Sequence, residues 1–169
     1  MNKTMNKPYP LASSSWDKSE LDAINNVISS GNFSMGKYVK LFEEKFAQTF
    51  DSKYSVMVNS GSSALYILIE ALNLPKGSEV ITPALTFATT VGCLVKNDLI
   101  PHFVDVGLNS YCIDVEKLDA AINEKTSAII APDLMGNICE WEKIKEIVHS
   151  KNKDIKIICD SADTLGAKL

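Results

Sequence analysis

The chain has 169 residues in which 17 Lys and Arg stand against 21 Asp and Glu, a formal net charge of −4 with histidine neutral. Hydrophobic residues make up 46% and charged residues 22%, which excludes a disordered or collagen-like chain and fits one sizeable buried core. No basic cluster is present, which argues against nucleic acid and anionic membranes as partners and leaves a small-molecule ligand open.

Cys93, Cys112, Cys139 and Cys159 are far apart and form no CxxC pair, so neither a zinc site nor a redox motif is signalled, and buried free thiols are expected. No long apolar run could span a membrane, and Met1 to Pro10 lacks the apolar centre of a signal peptide. A cytoplasmic, reduced protein is the expectation.

In chain order, Leu21, Ile24, Val27 and Ile28 recur at helical spacing within Asp17 to Ser30, and Gly31 stands where a left-handed residue would end that helix. A second helix is predicted over Lys37 to Phe50, with Tyr38, Val39, Phe42, Phe46 and Phe50 on one stripe suited to packing against a larger body. These make up an N-terminal helical segment, residues 1–52. From 53 to 169, strands are predicted at Tyr54 to Val58, Glu79 to Thr82, Ile100 to Asp105, Ser127 to Ala131 and Ile155 to Asp160. Helices over Ser62 to Leu72, Phe87 to Lys96, Val115 to Asn123 and Glu140 to Lys151 fill the gaps. The pattern is β-α repeated five times: an α/β, three-layer fold around a mostly parallel sheet. Val80-Ile81, Ala128-Ile129-Ile130 and Ile155 to Ile158 read as strands buried on both faces.

Ligands in such sheets bind beyond the carboxyl ends of the strands, which directs attention to three turns. Asn59 to Ala64 leads straight into a helix and crowds small residues there. It is either an anion seat made of backbone N–H groups or a plain helix cap. Asp160 and Asp163 follow an apolar strand. Asp160 either pairs with a cation, such as a protonated ring nitrogen, or caps the next loop. Phe87 either stacks on a planar ligand or begins the core of its helix. His102 and His149 do not suggest catalysis, and no metal site is indicated.

Together these segments resemble the DegT-type family of pyridoxal-phosphate enzymes acting on nucleotide sugars, which has the fold-type I aminotransferase architecture. Gly31 to Gly36 with Phe42-Glu43 is similar to the family's opening motif, Val58 to Leu65 to its phosphate turn, and Thr82 to Phe87 to its ring-stacking turn. Phe103 to Val106, Leu134 to Asn137 and Asp160 to Ala167 continue the series. The resemblance implies pyridoxal 5'-phosphate as cofactor, with the Ser62 and Ser63 amides on its phosphate, Phe87 on its ring and Asp160 on the pyridinium nitrogen. Asp163 joins these as a cofactor-binding residue.

Asp163 stands where many family aminotransferases carry Gln, and Asp133 where many members carry His. An acidic residue at 163 also resembles the branch that dehydrates the sugar at C3. The first expectation is therefore an aminotransferase for a keto nucleotide-sugar in polysaccharide or deoxy-aminosugar biosynthesis, and the second a keto-deoxy-sugar 3-dehydratase. A third is a truncated fragment serving only in binding or assembly.

Family resemblance further implies a homodimer, glutamate as amino donor, and a Schiff-base lysine beyond the strand of Asp160. Lys168 is too close to Asp160 to match that lysine. The chain thus resembles the N-terminal part of the large domain, incomplete at its C-terminus and inactive alone. A histidine at the lysine position would favour one dehydratase branch. The strand at Tyr54 to Val58 is expected to pair with one encoded after Leu169.

Overall fold

The computed structural model describes residues 13–151 and 154–167. The polar opening Met1 to Pro10 and Lys168 lie outside the described residues. The chain divides into two compact units, Met1–Met57 and Val58–Leu169.

In the first unit, α1 (Lys18–Ser30) begins at a capping box. The Asp17 carboxylate accepts from Ser19 N at 2.6 Å, and Glu20 accepts from Asp17 N at 2.7 Å. Gly31 ends the helix at φ 65°, a left-handed conformation that glycine takes without steric cost. In α2 (Lys37–Thr49) the predicted aromatic stripe forms ring contacts, with Phe46 lying 5.7 Å from Phe42 and 4.5 Å from Phe50 between centroids.

The segment Tyr54 to Val58 forms no strand, contrary to expectation. The Met57 N–H goes to the Glu43 carboxylate at 2.7 Å, and no strand lies beside the segment among the described residues. Tyr54, Val56 and Val58 supply strand propensity, but a ladder needs a neighbour.

The second unit opens with α3 (Gly61–Leu72) and continues β1 (Glu79–Pro83), α4 (Ala88–Lys96), β2 (Ile100–Val104), α5 (Val115–Ala121), β3 (Thr126–Pro132), α6 (Trp141–Lys151) and β4 (Lys156–Asp160). Among the described residues the sheet has four strands rather than five, all parallel, in the order β2-β1-β3-β4. Val80, Ala128 and Ile130 meet α3 and α4 through Ile69, Cys93 and Leu94. Ile81, Ile129 and Ala131 meet α5 and α6 through Leu118, Ile144 and Val148. Alternation along the central strands thus feeds two cores, one on each face of the sheet.

Ile155 to Ile158 does not form a strand buried on both faces: β4 is an edge strand, Lys156 is exposed and Ile157 only half-buried. Cys93, Cys112 and Cys139 are buried free thiols, whereas Cys159, on the edge strand, is exposed.

The order β2-β1-β3-β4 also places the functional cleft. From β1 the chain leaves through α4 to β2 on one side, and from β3 through α6 to β4 on the other. These connections part between β1 and β3, and the helices they carry lie on opposite faces. That divergence opens a crevice at the carboxyl edge.

At the amino end of β1, Glu79 accepts from Asn123 Nδ2 at 2.8 Å and pairs with His102 Nδ1 at 3.0 Å, so His102 is held in a structural contact. The Asn123 bond, then the His102 contact and the Lys125 charge, hold the Glu79 carboxyl below its ordinary range. A depressed folded value means that its stabilisation is present above the ordinary glutamate pKa and drains away as pH falls through the lowered one. Wild type should be more stable than Glu79→Gln near neutrality, the gap closing below about pH 4. Thermal midpoints across pH check this; a gap independent of pH would refute it.

Candidate functional site

At the carboxyl edge a cleft of about 470 Å³ is lined by residues from four chain segments. Ser60 to Ser62 come from the start of α3, and Leu85, Thr86, Phe87 and Thr89 from the turn into α4. Pro132 to Met135 follow β3, and Asp160, Ala162 and Asp163 follow β4. The structure therefore brings Ser62, Phe87, Asp160 and Asp163 to one place, although they span a hundred residues of chain.

Two helices begin at this cleft. Ser60 caps α3, its Oγ accepting from Ser63 N at 3.1 Å, and Ala64 N bonds to Ser60 O at 3.0 Å. The Ser63 amide is thus satisfied by the cap, while Gly61 and Ser62 occupy the first two helical positions, whose N–H groups have no intrahelical acceptor. Ser62 Oγ lies 3.0 Å from Thr89 Oγ1, tying the start of α3 to that of α4. Positive helix ends suit an anion here, and among the described residues no Lys, Arg or His lines the cleft.

Phe87 precedes α4 as its N-cap and is 68% exposed, so it is not the first core residue of that helix. Its ring is available to a planar ligand. Beside it, Thr86 Oγ1 is buried without a hydrogen-bond partner among the described residues, a polar atom suited to a ligand.

Three carboxylates line the cleft, and their partners separate them. Asp133 is buried, its Oδ1 accepting from Cys139 N at 2.8 Å and Trp141 Nε1 at 3.0 Å, and its Oδ2 from the Cys159 thiol at 3.3 Å. Although Cys159 as a residue is exposed, partial desolvation of its sulfur beside Asp133, with a smaller push from the Asp133 charge, raises the thiol to about 11 and keeps it a donor. Asp163 Oδ2 accepts from Met135 N at 3.1 Å. Asp160 has only Ala162 N at 3.2 Å and a long contact from Thr90 Oγ1 at 3.5 Å. Asp160 and Asp163 both keep acceptor capacity for a cation, whereas both oxygens of Asp133 are engaged by buried or half-buried donors.

Sequence reasoning missed Thr86, Thr89 and Met135 as cleft residues. The hydroxyl run Thr86, Thr89, Thr90 around Phe87 was the available signal; nothing local marks Met135.

A parallel α/β unit with a helix-start anion seat, an open aromatic ring and a strand-end carboxylate suits a planar, phosphorylated, cationic cofactor. The DegT/DnrJ/EryC1/StrS aminotransferase family matches residues 14–169, and the chain belongs to that family. It is 45% identical over 167 residues to a GDP-4-keto-6-deoxy-D-mannose 3-dehydratase of Yersinia pseudotuberculosis, covering 95% of this chain and 42% of that protein. It is 34% identical to a dTDP-3-amino-3,6-dideoxy-alpha-D-galactopyranose transaminase of Aneurinibacillus thermoaerophilus, covering 90% of this chain and 41% of that protein. The solved structure of the Escherichia coli GDP-4-keto-6-deoxy-D-mannose-3-dehydratase with bound hydrated PLP matches with a TM-score of 0.90 at 42% identity, covering 95% of this chain and 42% of that one. The fold is that of part of the fold-type I large domain, and the chain spans about two-fifths of these relatives.

Among the described residues no helix is long and apolar enough to cross a membrane, and no group of three His, Cys, Asp or Glu could hold a metal.

Proposed function

We propose that the chain forms the N-terminal part of a pyridoxal-phosphate enzyme that removes the C3 hydroxyl of a nucleotide 4-keto-6-deoxy sugar. The observation that carries this reading is the 45% identity to a 3-dehydratase against 34% to a transaminase, each over at least 90% of the chain. It reverses the order expected from the sequence, in which amino transfer came first; Asp163 had pointed to the dehydratase branch.

The cleft fits the cofactor. The Gly61 and Ser62 amides, with the Ser62 and Thr89 hydroxyls beside them, would hold the phosphate, and Phe87 would cover one ring face. Asp160 would hold a proton at the ring nitrogen. When bound, pyridoxal phosphate withdraws electrons from the substrate carbon. In this scheme Leu85, Leu134 and Met135 narrow the wall against water. Glutamate would serve as amino donor and the enzyme would act as a homodimer, both proposals resting on the family resemblance.

The test is to express the reading frame containing this chain through to its stop codon. The protein is then incubated with pyridoxal phosphate, glutamate and GDP-4-keto-6-deoxymannose, and the sugar is analysed by mass spectrometry. A product lacking the C3 oxygen supports the proposal. A sugar carrying nitrogen in place of the keto oxygen supports the aminotransferase reading instead, and absence of cofactor binding defeats both.

Ser62→Leu should lower cofactor affinity about tenfold or more by blocking close approach to the amides. Titration of the folded variant checks this, and unchanged affinity would move the phosphate elsewhere.

A further inference from the structure

We infer that Asp163 is a positioning residue that acts through the backbone of Met135. After β3 a single 3-10 turn spans Leu134–Gly136. Met135 sits inside it at φ 55°, ψ 31°, followed by Gly136 at φ 86°. A left-handed methionine is sterically unfavourable, so the turn needs outside support.

That support differs at its two ends. Leu134 O accepts from both Asn137 N and Asn137 Nδ2 at 3.0 Å, and Asp133 fixes the base through Cys139 and Trp141. These bonds stay within the loop and the start of α6, while the base at Asp133 is also tied to β4 through Asp160 O and the Cys159 thiol. Met135 N instead reaches across to Asp163 Oδ2 at 3.1 Å, 28 residues on, in the loop after β4. The bond joins two walls of the cleft and sets Met135, which is 75% exposed, at its rim.

Asp163 thus spends an oxygen on the turn, and its effect on a ligand passes through the placement of Leu134 and Met135. The inference rests on the proposed function only in taking the cleft's ligand to be pyridoxal phosphate. The geometry predicts a split between isosteric and truncating substitutions. Asparagine can accept the same N–H through Oδ1, whereas alanine cannot. Glycine at 135 adopts the same φ freely and should compensate.

The experiment uses the complete protein and two readouts: amide hydrogen exchange over residues 134–138, without cofactor, and pyridoxal phosphate affinity by absorbance titration. Asp163→Ala should speed exchange at Met135 about tenfold and weaken cofactor binding. Asp163→Asn should stay within about threefold of wild type in both, since a neutral acceptor replaces a charged one. Adding Met135→Gly to Asp163→Ala should recover most of the affinity. Unchanged exchange in Asp163→Ala, or an asparagine variant as impaired as alanine in both readouts, would overturn the inference. Wild type that shows the exchange pattern yet binds no cofactor would leave the positioning role standing and defeat the proposed function instead.

Discussion

On the proposed function, Asp160→Asn in the complete protein is expected to cut turnover by about ten- to a hundredfold, while cofactor affinity falls much less. The expectation follows from how the three cleft carboxylates are occupied. Asp133 is committed to Cys139, Trp141 and Cys159, whereas Asp160 and Asp163 keep acceptor capacity; of these two it is Asp160, closing β4, that the proposed function sets against the ring cation. A charge-assisted hydrogen bond of this kind contributes about 1.5–3 kcal/mol, which corresponds to the stated loss in rate. Asparagine keeps the shape but not the charge that holds a proton at the ring nitrogen. The proposed function gives phosphate anchoring to other residues, at the start of α3, so it should survive. Steady-state kinetics beside a cofactor titration separates the two effects, and near-normal turnover would remove Asp160 from this role.

The parts of the fold that could be read from sequence are those with a local physical code. The spacing of Leu21, Ile24, Val27 and Ile28 with Gly31 marks α1 and its end, and the Phe42-Phe46-Phe50 stripe needs only the helical repeat to align. Tyr54 to Val58 misled because its residues carry strand propensity without supplying a strand to pair with. Ile155 to Ile158 misled because the same apolar run can lie in the middle of a sheet or at its edge. The site divides along the same line. Strand-end positions located Asp160, Phe87 and Ser62, but the choice for Phe87 between core and ligand face needed its exposure. The Ser63 amide proved to be engaged by the Ser60 cap, a contact three residues away that any helix start could make. The partners of Asp133 and Asp163 lie 6 to 28 residues away and follow no repeat, so these contacts could not be read from the sequence.

Asp133→Ala is expected to destabilise the fold by about 2–4 kcal/mol, whereas Asp133→Asn should cost much less. Removing the carboxylate leaves the Cys139 N–H and the Trp141 indole N–H without their acceptor, and each buried, unsatisfied donor costs about 1–3 kcal/mol. Cys139 is wholly buried, so water cannot easily replace the lost partner there; Trp141, half-buried, has some access. Asparagine retains one oxygen in the place of Oδ1 and can satisfy both donors. Cys159 gives a second readout. Its thiol now donates to Asp133 Oδ2, and partial desolvation and the nearby negative charge both keep it protonated. In the alanine variant the charge is gone and the site is more open, so the thiol should ionise more readily and react faster with a disulfide reagent. Chemical denaturation of both variants, with timed thiol labelling under native conditions, tests the two effects together. An alanine variant as stable as wild type, with unchanged labelling, would show that Asp133 does not hold the loop between β3 and α6.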